Sequence, residues 1–155
     1  MMTNALADDS VHTLLIVGDG DVATALEATA STLGWNPVVV TTLPETTEAL
    51  SGSRSVVVVS HHDGLDGPAL AAALSSDAAY VAAMGSRTTQ ARRRSWLLEN
   101  GVPESRVDDI RGPAGLDIGA KTPAEIAVSI VAEIIAVSHG VSGGSIVDRP
   151  GPVHP

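Results

Sequence analysis

Residues 13–34, TLLIVGDGDVATALEATASTLG, decide the fold. Thr13 to Val17 is a short apolar run that stops at a glycine, the pattern of a buried strand. From Asp21 to Leu33 the spacing becomes helical, with Val22, Ala25, Leu26, Thr29 and Leu33 on one face, and Gly34 marks the stop. Between them lies Gly18-Asp19-Gly20-Asp21-Val22-Ala23, a GxGxxA turn leading from strand into helix. The first glycine permits the tight turn, the second lets backbone approach a pyrophosphate, and Ala23 is small enough for close helix–strand packing. The helix start adds the positive end of a dipole. Asp19 and Asp21, however, put negative charge where phosphates would sit. The turn therefore specifies a nucleotide-type fold without specifying a bound dinucleotide.

Outward from this unit the same alternation continues. Pro37 to Thr41 is a second β-branched run, and Val56 to Val59 a third whose four valines suit a strand covered on both faces. A short helix is expected from Pro68 to Leu74, led in by Asp66. Ala79 to Ala83 reads as the fourth strand and Arg87 to Asn100 as a helix ending at Gly101, with Pro103 beyond. Val107 to Ile110 reads as a short fifth strand, and Pro123 to Ser138 as the last helix, closed by Gly140. Strands alternating with helices imply right-handed βαβ crossovers. The expected architecture is a Rossmann-like, doubly wound, mostly parallel sheet with helices on both faces. Residues 1–10 read as a disordered leader, 11–140 as a single domain and 141–155 as a flexible tail.

Composition narrows the function. At 155 residues and 44% hydrophobic, the chain suits one domain able to bury roughly 70% of its unfolded surface. The absence of cysteine excludes disulfides, thiolate metal sites, Fe–S ligation and a persulfide-carrying thiol on this chain, and it fits a reducing cytoplasm. A net charge of −9, with no basic tract interleaved with aromatics, argues against nucleic acid as a partner. The acidic start lacks the features of a signal peptide, and the apolar stretch from Ile126 to Val137 is interrupted by Glu133 and falls short of a membrane span. Residues 1–53 hold seven acidic side chains and no Lys or Arg, whereas six of the nine basic residues lie between Arg87 and Arg111. That asymmetry predicts a locally positive edge suited to an anionic small molecule, or else a solvated helix face.

In a sheet of this kind ligands bind beyond the carboxyl ends of the strands, where strand order reverses. Four loops reach that edge. The first carries Gly18, Gly20 and Asp21. The second, Ser60-His61-His62-Asp63, places adjacent histidines on opposite sides of an extended chain, so they cannot readily share a metal. One of them is expected to face the crevice. The third, Met84-Gly85-Ser86-Arg87, combines a glycine, a hydroxyl, a guanidinium and free helix N–H groups, a sensible oxyanion site; Ser86 as a plain N-cap is the alternative. Of the following Arg92-Arg93-Arg94, at least one must be ordinary surface. The fourth loop, Gly112 to Gly119 with Gly115 and Asp117 between, leads into Thr122-Pro123-Ala124-Glu125, a capping box in which Glu125 is a cap rather than a catalyst. Asp117 has no such local role, and an acid–base pairing with His61 would require that the two meet. These turns are expected to share one hollow. No nucleophilic triad, Walker loop or HExxH helix is evident.

AYVAAMGSRTTQARRR (residues 79–94), GPAGLDIGAKTPAEIAVSIVAEI (residues 112–134) and VVVVSHHDGLD (residues 56–66) resemble the Rossmann-type half of the XdhC/CoxI family, accessory proteins for maturing molybdenum-containing hydroxylases such as xanthine dehydrogenase. The likeness runs from about His12 to Gly140. Ser60 stands in place of the family's threonine, His61 is retained, and His62 departs from the acidic or polar residue usual there. The resemblance implies a cytoplasmic accessory protein rather than an independent enzyme, one that handles a molybdopterin-type cofactor or its delivery to the apo-hydroxylase, with links to sulfuration. It implies a ligand site made of Gly18, Gly20, Asp21, Ser60, His61, Gly85, Ser86, Arg87, Gly112, Gly115, Asp117 and Gly119, with no metal ligands. Full-length members carry a preceding domain, so a separate XdhC/CoxI N-terminal-type chain is an expected partner, as is a homodimer. An NAD(P)-dependent oxidoreductase is the alternative reading of the GxGxxA turn, opposed by Thr41 and Thr42, which stand where an NAD site wants an acidic residue.

Overall fold

The computed structural model describes residues 11–154; the expected leader at residues 1–10 lies outside the described residues. The strands are β1 (Thr13–Val17), β2 (Asn36–Val40), β3 (Ser55–Val58) and β4 (Tyr80–Ala83). The helices are α1 (Asp21–Thr32), α2 (Leu43–Leu50), α3 (Asp63–Leu74), α4 (Arg87–Glu99), α5 (Glu104–Val107) and α6 (Pro123–Ser138). The strands form one parallel sheet in the order β2-β1-β3-β4. Residues 142–154 are exposed, with a 3-10 turn at Ile146–Asp148.

The period of two along each strand divides the core between the sheet's two faces. Leu15, Val17, Val56, Val58, Val81 and Ala83 pack with α3 and with Leu97 of α4. Leu14, Ile16, Val57, Tyr80 and Ala82 pack with α1 and α6. The valines of β3 are fully buried, as a strand covered on both faces requires. Small residues bring the helices close. Gly67 of α3 lies against the indole of Trp96 in α4, where a Cβ would come within 2.6 Å of the ring.

Several elements depart from the sequence-based expectation. Helix α2 is an addition: Thr42 caps it, accepting from the Glu45 N–H at 3.3 Å and donating to Glu45 Oε1 at 2.7 Å. Only Thr46 and Leu50 are buried, so no apolar stripe announces the helix. Helix α3 begins at Asp63 and contains Pro68 rather than starting there. The carbonyl that Pro68 cannot satisfy belongs to Gly64, which is exposed to solvent, and this reduces the penalty of an interior proline. In α1 the buried face is Ala23, Leu26 and Ala30, while Leu33 is 45% exposed. The segment from Val107 to Ile110 is not a strand. Glu104–Val107 turns once as α5 with Val107 buried, and the free edge of β4 is met by Arg111 instead. Arg111 N–H donates to Val81 O at 2.9 Å, and the Ala83 and Ala114 N–H groups donate to Arg111 O and Ala83 O at 3.0 Å each.

At the amino end of the sheet, the His12 ring stacks on Trp35 with centroids 4.1 Å apart, and its Nε2 lies 2.9 Å from Ser55 Oγ. Burial, and then the nearby Arg54 charge, lowers the His12 pKa below its usual 6.5. The unfolded chain therefore binds this proton more readily than the folded one, and stability falls as pH drops from 6.5 through the folded-state value. Urea titrations across that window should show a steeper acid loss for the natural chain than for His12→Gln. Separately, Gly67→Ala should lower stability by about 1–3 kcal/mol through overpacking against Trp96, read from the urea midpoint.

Candidate functional site

In the order β2-β1-β3-β4 the connection from β1 runs to one side and the connection from β2 crosses to the other, so order reverses between β1 and β3. Gly18 and Ser60 stand at that point. Gly18 has φ +121, and a Cβ on it would lie 2.6 Å from the Ser60 nitrogen, so the two backbones pass in contact there. Gly18 N–H donates to Val40 O at 2.8 Å and Ser60 N–H to Val17 O at 3.1 Å, which ties the ends of three strands together. Gly20 occupies the N-cap position of α1 with no side-chain cap, flanked by exposed Asp19 and Asp21. Ser60 is buried, and its Oγ accepts from the His62 N–H at 3.0 Å. His61 and His62 are both exposed and make no side-chain hydrogen bond among the described residues.

The turns after β3 and β4 are joined by a residue the sequence reading passed over. Arg93 is only 5% exposed and Asp66 1%, and Arg93 Nη2 donates to Asp66 Oδ2 at 2.7 Å. The same nitrogen donates to Ser60 O at 3.3 Å, while Nη1 donates to Met84 O. One guanidinium thus holds the carbonyls of two loops and the carboxylate of α3. Gln90, one turn earlier, donates through Nε2 to Ala83 O at 3.1 Å and Gly85 O at 3.3 Å. Gly85 lies against Thr89 and Arg93, and a Cβ there would meet Thr89 Cγ2 at 3.0 Å. Ser86 is the N-cap of α4, accepting from the Thr89 N–H at 3.2 Å. Gln90, Arg93 and Leu97 follow the three-and-four spacing of one helix face, with Leu97 fully buried. That spacing was the available signal for Arg93.

The expected positive edge is largely neutralised. Arg92 pairs with Asp63 at 3.0 Å, and Arg94 with Glu104 at 2.9 Å and Asp108 at 2.6 Å. Arg106 pairs with Asp109 at 2.7 Å, and Arg111 stands 3.7 Å from Glu133. Of the six arginines between positions 87 and 111, Arg87 alone has no acidic partner among the described residues. It is exposed in the first turn of α4.

The glycine-rich segment divides between two helices. Gly112 lies against the Gln90 side chain beside α4, whereas Gly115, with φ +105, lies against Ser129 of α6, where any Cβ would collide with the hydroxyl. Gly115 N–H donates to Glu133 Oε1 at 3.2 Å and Leu116 N–H to Ser129 O at 3.1 Å. Glu133 Oε1 also accepts from the Tyr80 hydroxyl at 2.6 Å. Burial, and then the hydrogen bond and charge of Glu133, hold the Tyr80 hydroxyl protonated far above its usual range. Glu125 is a cap: its Oε1 accepts from the Thr122 and Lys121 N–H groups at 3.0 and 3.1 Å, and these bonds lower its pKa. Asp117 and Gly119 are exposed, and Asp117 makes no side-chain hydrogen bond or ion pair among the described residues, to His61 or otherwise.

The contacts therefore join Gly18, Ser60 and Gly85 through Arg93, and Gly112 to Gln90. Gly115 docks apart from them on α6. A cavity of about 180 Å³ lies beside α4, and one of about 120 Å³ lies between Gly67, Arg93 and Trp96. Of the twelve expected site residues only Gly112 borders either. Among the described residues no three His, Asp or Glu side chains group as metal ligands, and no helix is long and apolar enough to cross a membrane.

Comparison with known proteins places these features in a family. A family model described as the XdhC Rossmann domain matches residues 14–134. The uncharacterized protein YqeB of Escherichia coli (strain K12) is 29% identical over 163 aligned residues, covering 92% of this chain and 30% of that protein. A crystal structure titled as a xanthine dehydrogenase from Bacillus halodurans superposes with a TM-score of 0.65 at 25% identity. That match covers 90% of this chain and 45% of the other. The chain thus spans less than half the length of either relative.

Removing one member of the buried pair leaves the other's charge uncompensated. Arg93→Met and Asp66→Leu should each lower stability by about 3–5 kcal/mol, while the double variant recovers most of that loss. Urea unfolding of the three proteins checks this, and a single-variant loss below about 1 kcal/mol would contradict the clamp.

Proposed function

This chain belongs to the XdhC Rossmann-domain family, and we propose that it acts as an accessory protein in the maturation of molybdenum-containing hydroxylases of the xanthine dehydrogenase type. In this reading it holds an anionic pterin or nucleotide at the carboxyl edge of the sheet and presents it to the apo-hydroxylase in the cytoplasm. The Bacillus halodurans relative, titled as a xanthine dehydrogenase, supports the association.

The observation that carries the reading is the state of Arg87. Five neighbouring arginines are engaged by carboxylates, while Arg87 is exposed and without an acidic partner in the first turn of α4, beside Gly85 and the Ser86 cap. A guanidinium and a helix N-terminus together favour a phosphate or another oxyanion. Asp19 and Asp21 disfavour the same group at the start of α1, so the phosphate of a pterin cofactor is assigned to α4. Gly18, Gly20, Ser60 and His61 form the neighbouring wall in this reading, with Gly112, Gly115, Asp117 and Gly119 as the far side. A bound molybdopterin-type group supplies redox chemistry to the hydroxylase it is destined for. The residues of this chain bind and orient it. With no cysteine in the sequence, any sulfur transfer uses a thiol from a partner.

NAD(P) binding is the second reading, favoured by Gly20 at the N-cap of α1, where no side chain occupies the first amides. Thr42 is committed to capping α2 and Thr41 is uncharged, so the end of β2 offers no carboxylate to a ribose. The pterin reading therefore stands ahead.

Calorimetric titration with molybdopterin cofactor should show binding to the natural chain and an affinity at least about tenfold weaker for Arg87→Ala. Equal affinities would remove Arg87 from the site. A thermal shift with millimolar NADP or NAD, and none with the pterin, would replace this reading with the second.

A further inference from the structure

We propose that the outer face of α1 and α6 docks a second copy of this chain, with the two α6 helices antiparallel across a twofold axis. The inference is independent of the ligand reading, because α4 packs on the opposite side of the sheet. A groove of about 360 Å³ runs between α1 and α6, and none of the eight residues that border it is charged. Ala28 and Thr32 line it from α1 and Ala132 from α6. Leu33, Val128 and Ile135 border it with 45, 51 and 37% of their surface exposed. Apolar side chains grouped in this way shed water when a partner covers them.

Charge selects the occupant. The chain carries a net charge of −9, so two copies meet at least cost where no charge stands. The charged residues of α6 are Glu125, in its first turn, and Glu133, which is buried against Tyr80. On α1, Asp21 lies in the first turn, and Glu27 is one position before Ala28, hence about 100° round the helix from it. An isologous contact also requires one patch to carry both ridge and groove. Val128 and Ile135, two turns apart on α6, are the ridge, and the space beside Ala28, Thr32 and Ala132 is the groove. Antiparallel pairing about a point between Val131 and Ala132 brings Val128 of one copy to Ile135 of the other. Glu125 then meets Ser138 rather than a second carboxylate, and opposite ends of the two helix dipoles lie together. The alanine at the centre lets the axes approach closely. Helices of 16 and 12 residues are about 24 and 18 Å long, so side by side they offer a footprint of about 400 Å² on each copy. That is the low end for a specific interface, and the dimer is therefore expected in the micromolar range.

Sedimentation equilibrium of the full chain, from about 5 to about 500 µM, should show passage from monomer to dimer. Val128→Lys and Ile135→Glu should each weaken dimerisation at least about tenfold. Both positions are exposed, so urea midpoints should stay near that of the natural chain, separating a lost dimer from a lost fold. Mixed in equal amounts, the two variants should dimerise again, because opposite charges then face each other across the axis. Leu98→Glu, at an exposed position on α4, should leave the dimer unchanged. A monomer throughout, which would leave this face to an unlike partner, would overturn the proposal. So would a dimer that survives both substitutions, or no recovery on mixing. None of these outcomes bears on pterin binding at Arg87.

Discussion

A guanidinium taken out of water must be compensated by fixed partners, and in this protein the partners of Arg93 belong to three different elements. Asp66 supplies the countercharge from α3, Ser60 a carbonyl at the end of β3, and Met84 a carbonyl at the end of β4. A buried pair of this kind contributes little net stability compared with apolar packing, yet breaking it is expensive. Its effect is therefore on geometry: loops that would otherwise be free to move are held at fixed separations by one rigid fork. The close approach that makes this work is itself a packing matter. Gly67 lets α3 lie directly on Trp96 of α4, which brings Asp66 within reach of Arg93.

The electrostatics follow from the same geometry. An acidic chain with a cluster of arginines between positions 87 and 111 invites the picture of a basic patch. Folding replaces that patch with local pairs, most of them exposed and individually worth little. What remains is Arg87, whose charge adds to the dipole of α4 rather than being cancelled by a neighbour. A site read from charge composition alone would be drawn too broadly, because composition counts charges and structure determines which of them stay uncompensated.

On the other face of the molecule, Glu133 plays a comparable organising part. It sits in an otherwise apolar stretch of α6 and accepts from both Tyr80 and the Gly115 backbone. A carboxylate in that position is tolerated because two donors and the more distant Arg111 meet it. It secures the glycine-rich segment to α6, while Gly112, three residues earlier, lies against Gln90 on the other side of the sheet's edge. The segment thus spans from one helical layer to the other, which explains its need for residues without a Cβ.

The strands, the parallel α/β architecture, the GxGxxA turn and the capped start of α6 were fixed by local information. Alternation, β-branched runs and a Thr-x-x-Glu box depend on neighbours within a few positions, so they can be read without knowing the fold. Helix α2 carried the same Thr-x-x-Glu signal but no apolar stripe, and α5 is a single turn whose buried valine resembles a strand residue in isolation. Which arginine becomes the clamp was decided only in three dimensions. Arg93 and Asp66 are 27 positions apart, and each alone reads as an exposed charge. Burying either one is unfavourable until the other arrives with the two carbonyls. Sequence registers each charge singly, whereas the energy of a buried pair exists only when the chain has brought both members together.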